Sequence, residues 1–221
     1  SVLHTRSGVR DLPPGSIATL LRATPLVRVG SAAVLMALLA ALIAAARSSR
    51  ILEMETFLET VMWGPGHLLQ IANVAFAILA WALLAVLAWA RPVEGRWLWI
   101  GVATSLALPL VAAALILVWR DPSSWLYRQG FTTLMRWGLF PAVAVALPLG
   151  LAVDGRSRSP IRCDRSAAAA LVASTLLMLV GFAFGAAIRG SDLRIPGHYH
   201  ACIGAVTLAA EIKSLDIFSP A

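Results

Sequence analysis

Residues 68–90 read LLQIANVAFAILAWALLAVLAWA and contain no charged side chain. Their only polar amides, Gln70 and Asn73, lie within the first two turns. A helix that crosses the hydrocarbon core of a bilayer needs about 20 predominantly apolar residues, and this run satisfies that length alone. Working outward, five further runs have the same character: 29–46, 97–119, 131–153, 166–188 and 195–212. The first and last are short and call for tilt or local thinning of the bilayer. The runs are continuous rather than alternating, which excludes a β-barrel. The expected fold is all-α, a polytopic transmembrane helix bundle of about six spans. Residues 1–28 form a cytoplasmic N-terminal segment, 29–212 the six-helix membrane domain and 213–221 a cytoplasmic tail. The first segment is too basic and too proline-containing for a seventh span, and it lacks the apolar core of a signal peptide.

Composition narrows the function classes. Of 221 residues, 59% are hydrophobic and 13% charged, against about 25% charged in a soluble domain. That excludes a soluble enzyme, a disordered chain and a disulfide scaffold. The formal charge of +7 is not a nucleic-acid signal, because the arginines fall in the breaks between apolar runs. Eleven Lys/Arg lie on the side that holds both termini, and six on the other: Arg47, Arg50, Arg120, Arg128, Arg189 and Arg194. Cytoplasmic loops carry the excess of positive charge, so both termini are expected in the cytoplasm, with the plasma (inner) membrane as the location. Cys163 and Cys202 stand in no metal spacing and read as small apolar fillers. Residues 154–165 read as a solvated cytoplasmic connector. Glu53, Glu55 and Glu59 read as an outer, solvated amphipathic stretch.

His4 lies in the polar N-terminal segment, whereas the other three histidines open apolar runs. His67 ends Trp63-Gly-Pro-Gly-His67, and His198 and His200 end Pro196-Gly-His198-Tyr-His200. Both runs start on the outer side, so three imidazoles are expected at one depth. Ionisable groups in spans are costly and tend to be functional, and neutral imidazole ligates metals and haem. Successive helical residues turn by about 100°, so His198 and His200 face opposite sides of one helix. They do not readily share one metal, but each can serve a different cofactor. The alternative is three interfacial histidines reaching for water. Gly64, Gly66 and Gly197 leave room for a planar ligand or a neighbouring backbone, or simply punctuate helix starts.

Taken together, Trp63-Gly-Pro-Gly-His67-Leu-Leu-Gln70 resembles the start of the sixth helix in the main subunit of the haem–copper oxidases. Gly190-Ser-Asp-Leu-Arg-Ile-Pro-Gly-His198-Tyr-His200 resembles the start of that family's tenth helix, and the nitric oxide reductases in particular. The resemblance implies that the six spans are similar to helices five to ten of a twelve-helix subunit. It implies that His198 ligates a high-spin haem, His200 a low-spin haem, and His67 a second metal such as copper. The implied cofactors are one or two haems, b-type or related. Arg136, in the fourth span, and Arg189 and Arg194, which flank the histidine pair, would then suit haem propionates. The implied partners are other membrane subunits that supply the missing helices, a cytochrome or quinol electron donor, and the lipid bilayer, with no nucleic acid. This sequence departs from the family where a His–His pair belongs, since Trp119-Arg-Asp-Pro-Ser-Ser-Trp-Leu-Tyr127 has no histidine. Ile71 stands where the main oxidases carry a tyrosine. The copper ligand set is therefore incomplete in this chain.

Two readings follow. The first is a haem-binding membrane electron-transfer subunit, an oxidoreductase passing electrons to a small oxidant at an outer-facing haem site. The second is a cofactor-free structural membrane subunit of a larger respiratory complex. A transporter ranks below both, since it wants polar groups near the midplane.

Overall fold

The computed structural model describes residues 16–48, 53–89, 93, 95–151, 164–189 and 193–218. Within them the protein is all-helical: α1 (Ser16–Arg22), α2 (Thr24–Arg47), α3 (Met54–Trp89), α4 (Arg96–Trp119), α5 (Trp125–Gly138), α6 (Phe140–Leu151), α7 (Arg165–Ala187) and α8 (Arg194–Phe218). Four of these, α2, α3, α4 and α7, are long and apolar enough to cross a membrane. The chain divides into two compact units. One comprises Arg22–Leu79 and Gly95–Leu151, and the other Ser1–Leu21, Ala80–Glu94 and Ala152–Ala221.

Helix α2 shows what solvent these units are built for. It buries Leu26 and a stripe of small residues, Gly30, Ala33, Ala37, Ala40 and Ala44. It exposes Leu35, Leu38, Leu39 and Leu42. In water that pattern would be inside out, but lipid tails are as apolar as leucine. Small residues at helix interfaces let backbones approach closely. Gly30 does so: a Cβ there would lie 3.1 Å from the Ala75 Cβ on α3. Helix α7 is similar in part: it buries Ala167, Ala170, Ser174 and Gly181 together with Leu171 and Met178, and exposes Val172, Leu176, Val180 and Phe184. This is a membrane protein.

In the first unit, α4 packs against α2, α5 and α6. The Arg47 guanidinium donates to the Leu117 carbonyl at 3.2 Å and ties the C-terminal ends of α2 and α4 together. The α4–α5 turn is fixed locally. The Asp121 carboxylate accepts from the Ser123 amide at 2.8 Å and from the Ser123 hydroxyl. Ser124 then caps α5, accepting from the Tyr127 amide at 3.2 Å. The described part of the apolar run 131–153, residues 131–151, is not one continuous helix but is shared by α5 and α6, which part at Leu139. Pro141 lacks the N–H that would bond one turn back, and Gly138 comes close to α4, where a Cβ would lie 3.1 Å from Pro109.

In the second unit, α7 and α8 form an antiparallel pair. Gly185 faces His198, Gly181 faces Cys202, and the Ser174 hydroxyl donates to the Ala205 carbonyl at 2.7 Å. The Trp81 indole N–H in turn donates to Ser174 at 2.7 Å, so one buried hydroxyl links three helices. The run expected at 195–212 lies within α8, whose 25 residues make it longer than expected.

Helix α3 departs most from expectation. It starts at Met54, before the apolar run, and holds Pro65 inside it. Glu55 and Glu59 therefore lie on a helix, and the Gly-Pro-Gly sequence lies inside that helix rather than opening one. At 1.5 Å per residue its 36 residues reach about 54 Å, well beyond a hydrocarbon core of about 30 Å. His4, Cys163 and most of the connector, residues 154–163, lie outside the described residues.

Candidate functional site

His67 sits well inside α3, half-buried, in the first unit. Its Nδ1–H donates to the Trp63 carbonyl one turn earlier at 2.5 Å. The ring lies between two aromatics, with centroids 5.2 Å from Trp63 and 5.8 Å from Phe131 of α5. Tyr127 packs edge-on against Phe131 at 4.9 Å. Its buried phenol occupies the notch left by Gly64, where any Cβ would overlap the hydroxyl. The space expected at Gly64 for a ligand is thus filled by this chain's own side chain, whereas around Gly66 it is open.

Above this aromatic group lies Arg128. Its guanidinium pairs with Glu59 at 2.8 Å and stands 5.1 Å from the centre of the Trp63 ring. The Trp63 indole N–H donates back to the Arg128 carbonyl at 3.4 Å. Charge counting marks Arg128 only as an outer cation and Glu59 only as part of a solvated stretch. The four-residue spacing of Glu59, Trp63 and His67 along one helical face is the signal that joins them.

His198 and His200 lie in the second unit. His198 is half-buried against α7, its Nδ1–H donating to the Gly181 carbonyl at 2.7 Å. The ring fits against Gly185, where a Cβ would lie 2.9 Å from Nδ1. The Cys202 sulfur is 3.7 Å from the same nitrogen, so a residue read as an apolar filler stands beside a candidate ligand. His200 is exposed and donates Nδ1–H to the Pro196 carbonyl at 2.7 Å. The two imidazoles thus leave α8 on different sides, one against α7 and one not. The Gly181-x-x-x-Gly185 spacing is a close-packing signal that would have located the seat of His198.

The arginines are dispersed. Arg136 is half-buried in the last turn of α5, where a cation complements the helix dipole. Arg189 is exposed just past the end of α7, and Arg194 is exposed at the first residue of α8.

The donor chemistry fits haem in one respect. His198 and His200 each commit Nδ1–H to a main-chain carbonyl, the supporting bond that orients a ligating histidine and leaves the Nε2 lone pair for iron. It does not supply a three-ligand copper or zinc centre: among the described residues, no three His, Cys, Asp or Glu side chains are grouped to hold a metal ion. Comparison with protein-family models, with curated proteins and with solved structures finds no match to this chain.

Proposed function

We propose that the chain is a haem-binding membrane electron-transfer subunit of the haem–copper oxidase and nitric oxide reductase type. The observation that carries this reading is the shared state of the imidazoles on α8. His198 and His200 both present Nδ1–H to a carbonyl and leave one helix on different sides. One helix can then offer axial ligands to two haems, His198 to a high-spin and His200 to a low-spin one. The bound haem supplies one-electron redox chemistry. The chain's own residues fix ring orientation and offer Arg136, Arg189 and Arg194 as cations for propionates. His67 stands as the ligand of a second metal or its remnant. The α5–α6 pair and α8 would complete about six crossings of the plasma (inner) membrane, with both termini cytoplasmic. Partner subunits would supply the remaining helices, and a cytochrome or quinol the electrons.

A reduced-minus-oxidised visible spectrum of the purified chain, retaining its native partners, tests this reading. His198→Ala and His200→Ala are each expected to remove a different haem signal. Absence of haem from such a preparation would overturn it. One observation favours a second reading, a cofactor-free structural subunit: the His198 ring fills the space left by Gly185 and bonds the Gly181 carbonyl, as an interhelical strut would. Under that reading both variants leave the spectrum blank and change stability only.

A further inference from the structure

We infer that Glu59, Arg128 and Trp63 form a clasp of positioning residues that holds the His67 imidazole in one orientation and in the Nδ1–H tautomer. The inference rests on the haem-subunit reading only for what the imidazole is used for; the positioning itself is independent of it.

The chain of contacts is continuous and runs from the surface inward. Glu59 is half exposed and Arg128 one-third exposed. An ion pair so placed adds little to stability, so holding the fold together is not its main effect. What it does is fix the guanidinium over the Trp63 ring, where the cation is drawn to the negative face of the indole. The indole N–H returns a bond to the Arg128 carbonyl. Trp63 is thereby held at both its ring face and its nitrogen. The same residue meets His67 twice, with its ring as one wall and with its carbonyl as the Nδ1–H acceptor. Phe131 forms the other wall, and Phe131 is itself fully buried. A loosened Trp63 ring would leave His67 with one wall, free to turn about its side-chain bonds and to exchange the carbonyl bond for another.

The spacing explains why the sequence builds this. Glu59, Trp63 and His67 recur every four residues, so they stack on one face of α3. The Ser124 cap sets the start of α5, and thereby the register that brings Arg128 to Glu59 and Phe131 to His67.

The test reads the imidazole directly. The full chain, prepared without haem, is labelled with 15N at histidine and held in phospholipid nanodiscs at mildly alkaline pH, where neutral imidazoles dominate. His67→Gln assigns the His67 resonances. In the parent protein His67 is expected as one form, with a protonated Nδ1 and an unprotonated Nε2. Arg128→Met is expected to split it into two forms, and Glu59→Gln to do so in part. Arg128→Lys, which keeps a cation for Glu59 and Trp63, should restore most of the single form. His198 and His200 are internal controls and should not move. If Arg128→Met disturbs all three histidines, Glu59→Gln decides, because it changes only an exposed carboxylate. An unchanged His67 signature in Glu59→Gln and Arg128→Met, or an Nε2–H tautomer in the parent, overturns the inference. The two failures are separable: a native preparation without haem sinks the haem reading, and the single His67 form, lost in the variants, leaves the clasp standing.

Discussion

The two histidine seats use opposite means to the same end. On α7, the seat of His198 is made by removal: Gly181 and Gly185 withhold side chains, and a bare carbonyl accepts the ring N–H. Between α3 and α5, the seat of His67 is made by addition, with Trp63 and Phe131 against the ring and Arg128 and Glu59 holding Trp63. A glycine seat is stiff because backbone forms it, and tolerates almost nothing in its place. A side-chain clasp distributes its hold over several modest contacts and should fail by degrees. The difference predicts that single substitutions at the first seat act mainly on stability, whereas those at the second act mainly on the state of the ring.

The sharpest way to break the comparison is Gly181→Val. A Cβ at this position overlaps the Cys202 sulfur and lies 3.1 Å from the Cys202 main-chain nitrogen. Overpacking of this kind costs about 1–3 kcal/mol and sometimes more, and here backbone cannot yield. The expected result is a large fall in thermal midpoint in detergent. Cys202→Ala should recover part of it, because it removes the sulfur but not the main-chain contact. Full tolerance would mean that α7 and α8 are not closely packed.

Next in size is Gly64→Ala, which carries a glycine test into the clasp. The added methyl group meets the Tyr127 hydroxyl and, at 3.2 Å, Phe131. A loss of about 1–3 kcal/mol is expected. Tyr127→Phe removes the overlapping oxygen, so the double variant should be more stable than the sum of the single changes implies. A double-mutant cycle from thermal or denaturant unfolding reads that coupling. Additive effects would show that the notch at Gly64 is not shaped by Tyr127.

A third prediction concerns the hydroxyl beside the glycine seat. Ser174 is fully buried and Trp81 is 2% exposed, and the Trp81 N–H has the Ser174 oxygen as its acceptor. Ser174→Ala leaves that donor unsatisfied at a cost of about 1–3 kcal/mol. Trp81→Phe leaves the Ser174 bond to Ala205 intact, so adding it to Ser174→Ala should cost less than it does in the parent. Unfolding midpoints of the four proteins read the difference.

The sequence and the structure agree where the signal is length and apolarity. The runs 97–119 and 166–188 return as α4 and α7 within a residue or two, since an uninterrupted apolar helix needs no tertiary information to be recognised. They part where a local rule competes with packing. Pro65, flanked by two glycines, reads as a helix start. In the structure the helix runs through it, with Tyr127 and Phe131 filling the face that Gly64 leaves open. Pro141 acts the other way and helps divide a run that hydropathy alone joins. The histidines are legible as chemistry, and the helical turn angle places His198 and His200 on different sides. The partner helices of His67 and His198 are less legible: the Gly181-x-x-x-Gly185 spacing hints at the close packing of α7, but nothing in the order of residues says that the Gly181 carbonyl meets His198 or that Phe131 meets His67. Arg128 and Glu59 are 69 positions apart, and only the path of α3 and α5 brings them together.

The smallest effect lies at the start of α7, outside both seats, and measures how much the glycine seat depends on its helix being well begun. Asp164 caps α7, accepting from the Ser166 and Ala167 amides at 2.9 and 3.1 Å. Its carboxyl is held below the ordinary range, first by the Ser166 hydroxyl at 2.6 Å and then by those amides, with partial burial opposing. Because the folded pKa is the lower one, an acidifying solution protonates the unfolded chain first. The cap's contribution is therefore complete above the ordinary carboxylate value and is lost as pH falls through the folded value. Asp164→Ala should cost about 1 kcal/mol at neutral pH. Asp164→Asn keeps an acceptor for the amides and should cost less, while flattening the acid limb of a thermal-midpoint profile. An acid limb identical to that of the parent would assign it to other carboxylates. A loss of the His198 signature in Asp164→Ala would show that the glycine seat is less rigid than its backbone construction implies, and would bring the two seats closer in kind.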